Sequence, residues 1–228
     1  MTCRTILQWP NRQLAEKSTE CGQINDEVMS NIHDVVDTLR ASFGVGLAAP
    51  QIGIKKRIFA INTSIAETEN PYPQDEFSDH FVAIDPEIEL DGHEFTWNEA
   101  CLSVPFMSAP IKRKSEVTLK FTNLKGERVS LDLKMPVSGI VQHEFDHLDG
   151  VLFIDRAGRF FKEKLTKKLK KEQRILKREQ EAERRQIILE TQGHAGLRKY
   201  LTDNNPTSKK KSSRKKSGKN FGKNKKRR

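Results

Sequence analysis

The stretch His143-Glu-Phe-Asp-His147 places two imidazoles four residues apart, with a carboxylate directly after the first. On a helix, residues at i and i+4 are neighbours on one side, so both rings can reach a single cation. A glutamate beside such a pair can serve as general base to a water that the cation acidifies. The pattern fixes only three positions, and an ordinary helix with two hydrogen-bonded histidines would satisfy it as well.

The flanking residues favour a helix. Pro136 suits a first helical turn and Gly150 a C-terminal end. At 100° per residue, Val137, Ile140, Val141, Phe145 and Leu148 fall within an arc of about 140°. His143 and His147 stand at its edge, and Glu144 falls inside it. An ionised, unpaired carboxylate among apolar neighbours costs several kcal/mol, so a chain seldom places one there without a partner or a task.

Two histidines need a third ligand if a metal is to keep a position open for water. In zinc endopeptidases of the long His-Glu-x-x-His type, a third histidine would stand where this chain has Phe153. The other source is Glu99-Ala-Cys-Leu-Ser103, because a thiolate suits zinc or iron(II). A lone cysteine is also a common small core residue, so spacing alone leaves Cys101 open.

Several elements must position these groups. Residues 23–42 read as an amphipathic helix carrying Ile24, Val28, Ile32, Val35, Val36 and Leu39 at three- and four-residue steps. Gly44-Val-Gly-Leu-Ala-Ala-Pro-Gln51 is small and glycine-rich, which permits close backbone approach, and it lacks the Lys-Ser/Thr ending of a phosphate loop. Residues 57–62 and 81–84 read as strands, the second closed by Asp85-Pro86, with an acidic surface loop over 63–80 between them. Residues 116–122 and 129–133 alternate with period two around Asn123-Leu-Lys-Gly126, a hairpin leading into the Pro136 helix. Strand-rich segments flanking a helix imply an α+β domain, with antiparallel strands around a central metal-binding helix.

The charge is unevenly placed. Residues 156–228 hold 27 Lys+Arg and 7 Asp+Glu, a net of +20, whereas residues 1–155 carry −10. Residues 159–192 lack Pro and Gly and read as a long helix with a thin apolar stripe. The end of the chain is Lys, Arg, Ser, Asn and Gly, a composition that cannot offset the entropy of ordering. The expected division is a catalytic domain over 1–157, a basic helix over 158–192 and a disordered Lys/Arg-rich tail over 193–228. Three cysteines argue against a disulfide framework, and no apolar run approaches the ~20 residues of a membrane span. A soluble cytoplasmic monomer that uses no membrane is the expectation.

Three stretches, 44–51, 99–103 and Gln142-His-Glu-Phe-Asp-His147, resemble in order and spacing the signature motifs of peptide deformylases, which remove the formyl group from the N-terminal formyl-methionine of new polypeptides. The opening Ile6-Leu-Gln-Trp-Pro10 is similar too, and the resemblance spans about residues 4–157. It implies Cys101, His143 and His147 as ligands of one divalent metal, iron(II) in the family, with zinc also suited to that set. It further implies Glu144 as general acid/base, with Gln51 and the Leu102 amide as oxyanion hole. Substrate would lie along Val45 and Gly46 like an added strand, past Ala100, with its methionine side chain against Ile140.

Two positions depart from the family pattern. Ala100 stands where the family usually has Gly, and Ser108 where many bacterial members have Arg; Arg113 keeps the place of an Arg that pairs with the motif Glu, here Glu99. A methyl at position 100 would matter if the backbone there is left-handed or if substrate passes close to it, and an inactive, deformylase-like RNA- or ribosome-binding module is then the alternative. The basic extension resembles a longer form of the C-terminal helix by which some bacterial deformylases dock on ribosomal RNA.

Overall fold

In a computed structural model of the chain, residues 3–66, 71 and 76–204 are described. Parts of the expected acidic loop (67–70 and 72–75) and most of the expected basic tail (205–228) lie outside them.

Five antiparallel strands form one sheet in sequence order: β1 (Gly46–Ala48), β2 (Ile58–Asn62), β3 (His80–Cys101), β4 (Val104–Thr122) and β5 (Arg128–Lys134). Helix α1 (Asp26–Ser42) starts at Asn25, whose side chain accepts a hydrogen bond from the Val28 N–H, and ends at Phe43 in the left-handed region. Helix α2 (Val137–Leu148) is the expected metal helix.

The core explains why residues 58–61 read as an unbroken apolar run. Successive strand residues face opposite sides of a sheet. Ile58 and Ala60 pack with Val28, Ile32, Val35, Val36 and Leu39 of α1. Phe59 and Ile61 pack with Val137, Ile140, Val141 and Leu148 of α2. The two helices therefore cover opposite faces, and β2 is buried on both.

Asp85-Pro86 does not end the strand it was expected to close. β3 runs on to Cys101, with its register shifted between Ile84 and Glu87 where Asp85 takes φ 47°. Proline is tolerated at such a bulge because no ladder donor is needed there. The Asp85 carboxylate turns inward and accepts from the Cys21 and Gly22 N–H groups. The segment expected as a surface loop also anchors itself, since Ala66 and Phe77 at its ends are buried.

The chain divides into two compact units, Met1–Thr166 and Lys167–Arg228. The first also contains the short helix α3 (Phe153–Arg156) and the start of α4 (Arg159–Asp203). Within the second, α4 is broken at Gly193 (φ 66°, ψ −169°). The Tyr200 hydroxyl donates to Glu181 Oε2 at 2.9 Å, and the Arg184 guanidinium lies 5.4 Å from the Tyr200 ring. Residues 19 apart on a straight helix would be about 28 Å apart, so the chain reverses at Gly193 into a helical hairpin. Residues 194–203, assigned from composition to a disordered tail, are helical: Leu197, Tyr200 and Leu201 give this segment the apolar material that the lysine-rich end lacks.

Candidate active site

Three elements bring the chemistry together. Cys101 is the last residue of β3, Gln51 lies in a 3₁₀ turn (Ala49–Ile52), and His143, Glu144 and His147 project from α2. The ligand atoms of Cys101, His143 and His147 all lie within 4.8 Å of one another, and Cys101 Sγ is 3.2 Å from His147 Nε2. Bonds of about 2.0–2.3 Å to a tetrahedral cation separate donor atoms by roughly 3.5 Å. The set therefore fits one metal ion, and it is the sole cluster of that kind among the described residues.

Its surroundings fix the donors. His143 Nδ1 is 2.8 Å from Glu99 Oε2, which leaves Nε2 for a cation. Glu99 is itself held by Arg113 (Nε to Oε1 2.6 Å, Nη2 to Oε2 2.9 Å) and by the Trp97 indole N–H at 2.9 Å. Arg113 also donates to Asp146 at 2.7 Å, and Asp146 pairs in turn with Arg156. Burial alone would raise the Glu99 pKa, but Arg113 and His143 outweigh it and bring the group down to about 2. Glu99 is thus an anion behind the histidine, which raises ligand basicity. Burial holds His147 well below its usual pKa, so it remains a neutral imidazole able to ligate.

Gln51 has its orientation settled by the same logic. Its Oε1 accepts from the Ala48 N–H at 2.7 Å, so Nε2 must face Ser103 Oγ at 3.1 Å and Cys101 Sγ at 3.5 Å. Glu144 is fully buried, and its Oε2 has no hydrogen-bond partner. Burial pushes its pKa up to about 7, although His143 pulls the other way. Gly46 makes room for it, because a Cβ there would lie 2.4 Å from Glu144 Oε1. Gly46, Gln51, Glu99, Cys101, His143 and Glu144 line a cleft of about 1020 Å³.

Residues 3–163, more than two thirds of the chain, match the Polypeptide deformylase family. The chain belongs to the peptide deformylase family. A peptide deformylase of Desulforudis audaxviator is 38% identical over 160 residues, covering 70% of this chain and 96% of the relative. One of Thermodesulfovibrio yellowstonii is 32% identical over 170 residues, covering 75% and 98%. The crystal structure of a peptide deformylase from Legionella pneumophila superposes with a TM-score of 0.66 at 29% identity, covering 78% of this chain and 99% of the other. The matched deformylases thus correspond to the first compact unit and little beyond it.

A deformylase is a metal-dependent hydrolase acting on N-formyl groups; of the site residues expected from sequence, all but His147 line this cleft, and His147 meets them through Cys101, 3.2 Å away. Val45, Gly46, Ala100, Leu102 and Ile140 all line it together with Gln51, Cys101, His143 and Glu144. Ala100 is paired with Ser108 in the strand ladder, and left-handed φ among the described non-glycine residues is confined to Phe43, Asp85 and Phe106. The alanine methyl is thus free of backbone strain, which removes that ground for an inactive deformylase. Phe153, in the place of a third histidine, stacks on His143 with centroids 6.4 Å apart and helps to hold that ring.

Sequence reasoning missed Trp97 and Asp146. Trp97 shares a strand face with Glu99, a period-two relation that was available. Asp146 could have been found as a second acidic residue on the buried metal helix.

Proposed function

We infer that Cys101, His143 and His147 hold one iron(II) ion and that Glu144 carries the protons of formyl hydrolysis. The observation that supports this most is the buried Glu144 carboxylate. It has an unpartnered oxygen, stands against the glycine of β1, and follows directly on one of the clustered ligands.

A divalent cation bound there supplies Lewis acidity, which makes water a nucleophile at neutral pH. The chain's own groups do the rest. Glu144, with a pKa raised to about 7, accepts the proton of the attacking water and returns it to the leaving amine nitrogen. Gln51 Nε2 and the Leu102 N–H face the oxyanion that develops on the formyl oxygen, a contribution of about 3–4 kcal/mol for each donor. The main-chain groups of Gly46 pair with the extended substrate along the open edge of β1, next to Val45, whose carbonyl accepts from the Asn62 N–H at 2.8 Å, and the substrate passes Ala100. Ile140, one turn before His143, forms a wall for the methionine side chain. Formate and a free N-terminus result.

Iron(II) is favoured over zinc by family resemblance, and the Cys-His-His set accommodates either. The site is complete within one chain, in keeping with a monomer. Among the described residues no helix is long and apolar enough to cross a membrane. A cytoplasmic location follows from the substrate, formyl-methionyl nascent chains. The net +20 over residues 156–228 supports association with ribosomal RNA through phosphate contacts, which would weaken steeply with salt.

The test is formate release from formyl-Met-Ala-Ser by protein reconstituted with iron(II) under anaerobic conditions. Turnover that disappears on chelation and returns with metal is the expected result. Metal-saturated protein that leaves the formyl group intact would overturn the assignment.

A further inference from the structure

Three large apolar side chains at the cleft stand in solvent: Phe43 (85% exposed), Phe106 (71%) and Ile65 (43%). The two phenylalanines share a second peculiarity. Phe43 (φ 54°) and Phe106 (φ 64°) both adopt the left-handed backbone that glycine or asparagine takes at least cost. Phe43 caps α1 just before Gly44 and β1. Phe106 sits where β4 bulges: Val104 pairs with Cys101 and Ser108 with Ala100, so Pro105, Phe106 and Met107 loop out. Met107 turns in and is buried, and Phe106 turns out. Neither exposed ring is accounted for by the core, and a left-handed phenylalanine is a poor choice for a helix end or a bulge on folding grounds alone.

We propose that Phe43 and Phe106 form an aromatic rim that selects formylated peptides with apolar residues directly after the formyl-methionine. The inference rests on the deformylase reading. It names a substrate preference of that same site and a role for two residues outside the reacting groups. Gly46 lies against Glu144, and Phe43, the left-handed cap of α1 three residues earlier in the chain, lines the same cleft. At about 3.3 Å per residue, an extended peptide whose formyl end lies beside Glu144 has spanned roughly 10 Å by its third residue, so its second and third residues lie in the cleft that both rings line. Water leaves both rings when an apolar side chain of the substrate covers them, and the gain is larger for an aromatic than for Ala or Ser.

The experiment compares kcat/KM for formyl-Met-Ala-Ser, formyl-Met-Phe-Ser and formyl-Met-Ala-Phe, using full-length, iron-loaded protein. Three variants are measured beside the wild type: Phe43→Asn, Phe106→Asn and, as a control on an exposed apolar residue away from the cleft, Leu90→Ala. Asparagine removes the ring while suiting the left-handed backbone, so thermal stability should not fall. The wild type is expected to prefer at least one Phe peptide over formyl-Met-Ala-Ser by roughly five-fold or more. The ratio should shrink toward one in either Asn variant and stay put in Leu90→Ala. Equal rates on all three peptides in the wild type would overturn the rim, as would Asn variants that slow every peptide by the same factor. Absence of formate from any peptide would instead count against the deformylase assignment.

Discussion

The reacting groups depend on neighbours that leave them little freedom. Gly46 is the sharpest case, since a methyl there would occupy the Glu144 carboxylate. Gly46→Ala should displace Glu144 and lower kcat by about a hundredfold or more, the usual size of a lost acid/base group, with metal content unchanged. Glu99→Gln should act differently. It removes the anion behind His143 and leaves Arg113 short of a charge partner in a buried site. Metal affinity should drop by about 10–100-fold, read by competition with a chelator, while excess metal restores part of the activity. The cysteines separate in the same way. Burial and the neighbouring Asp85 push Cys21 up to about 12, so at pH 8 it is a protonated thiol, and its thiolate gains only as pH rises toward that value. Alkylation at pH 8 followed by mass spectrometry of peptides should find the exposed Cys3 modified and Cys21 spared.

Elements carry these side chains only because their faces match. The metal helix was legible from Pro136, Gly150 and the arc of apolar residues, and it runs from Val137 to Leu148. The β4 alternation was legible over residues 116–122, and burial alternates along most of the strand from Val104 onward. What remained hidden was long-range. The Asp85-Pro86 bulge looks like a strand end unless the partner strand is known, and the bulge at Phe106 has no local signature. For Trp97 the strand face was legible but its partner across the fold was not: its indole packs where Gly139 of α2 leaves space, and a Cβ at 139 would lie 2.7 Å from the ring. Gly139→Ala should therefore push the helix from β3 and destabilise the fold by about 1–3 kcal/mol, seen as a lower Tm. An unchanged Tm would mean that the indole is free to move aside.

On the scale of the whole chain, composition sets an acidic part over residues 1–155 against a basic remainder, and it gave no sign that residues 194–203 are helical. The helical reversal at Gly193 arises from contacts such as Tyr200 with Glu181, which pair residues too far apart for a local reading. The compact catalytic unit ends at Thr166. A chain cut there should deformylate a free tripeptide as fast as the full protein yet fail to co-sediment with ribosomes at low salt; equal co-sedimentation would remove the basic extension from the account. The central claim is narrower and concerns one carboxylate inside that unit. Metal content and formate release should be measured on a single preparation of Glu144→Ala, beside the wild type, with formyl-Met-Ala-Ser as substrate. One metal per chain with turnover lowered by roughly a hundredfold or more is the predicted result; a variant that keeps its metal and releases formate at the wild-type rate would contradict the account.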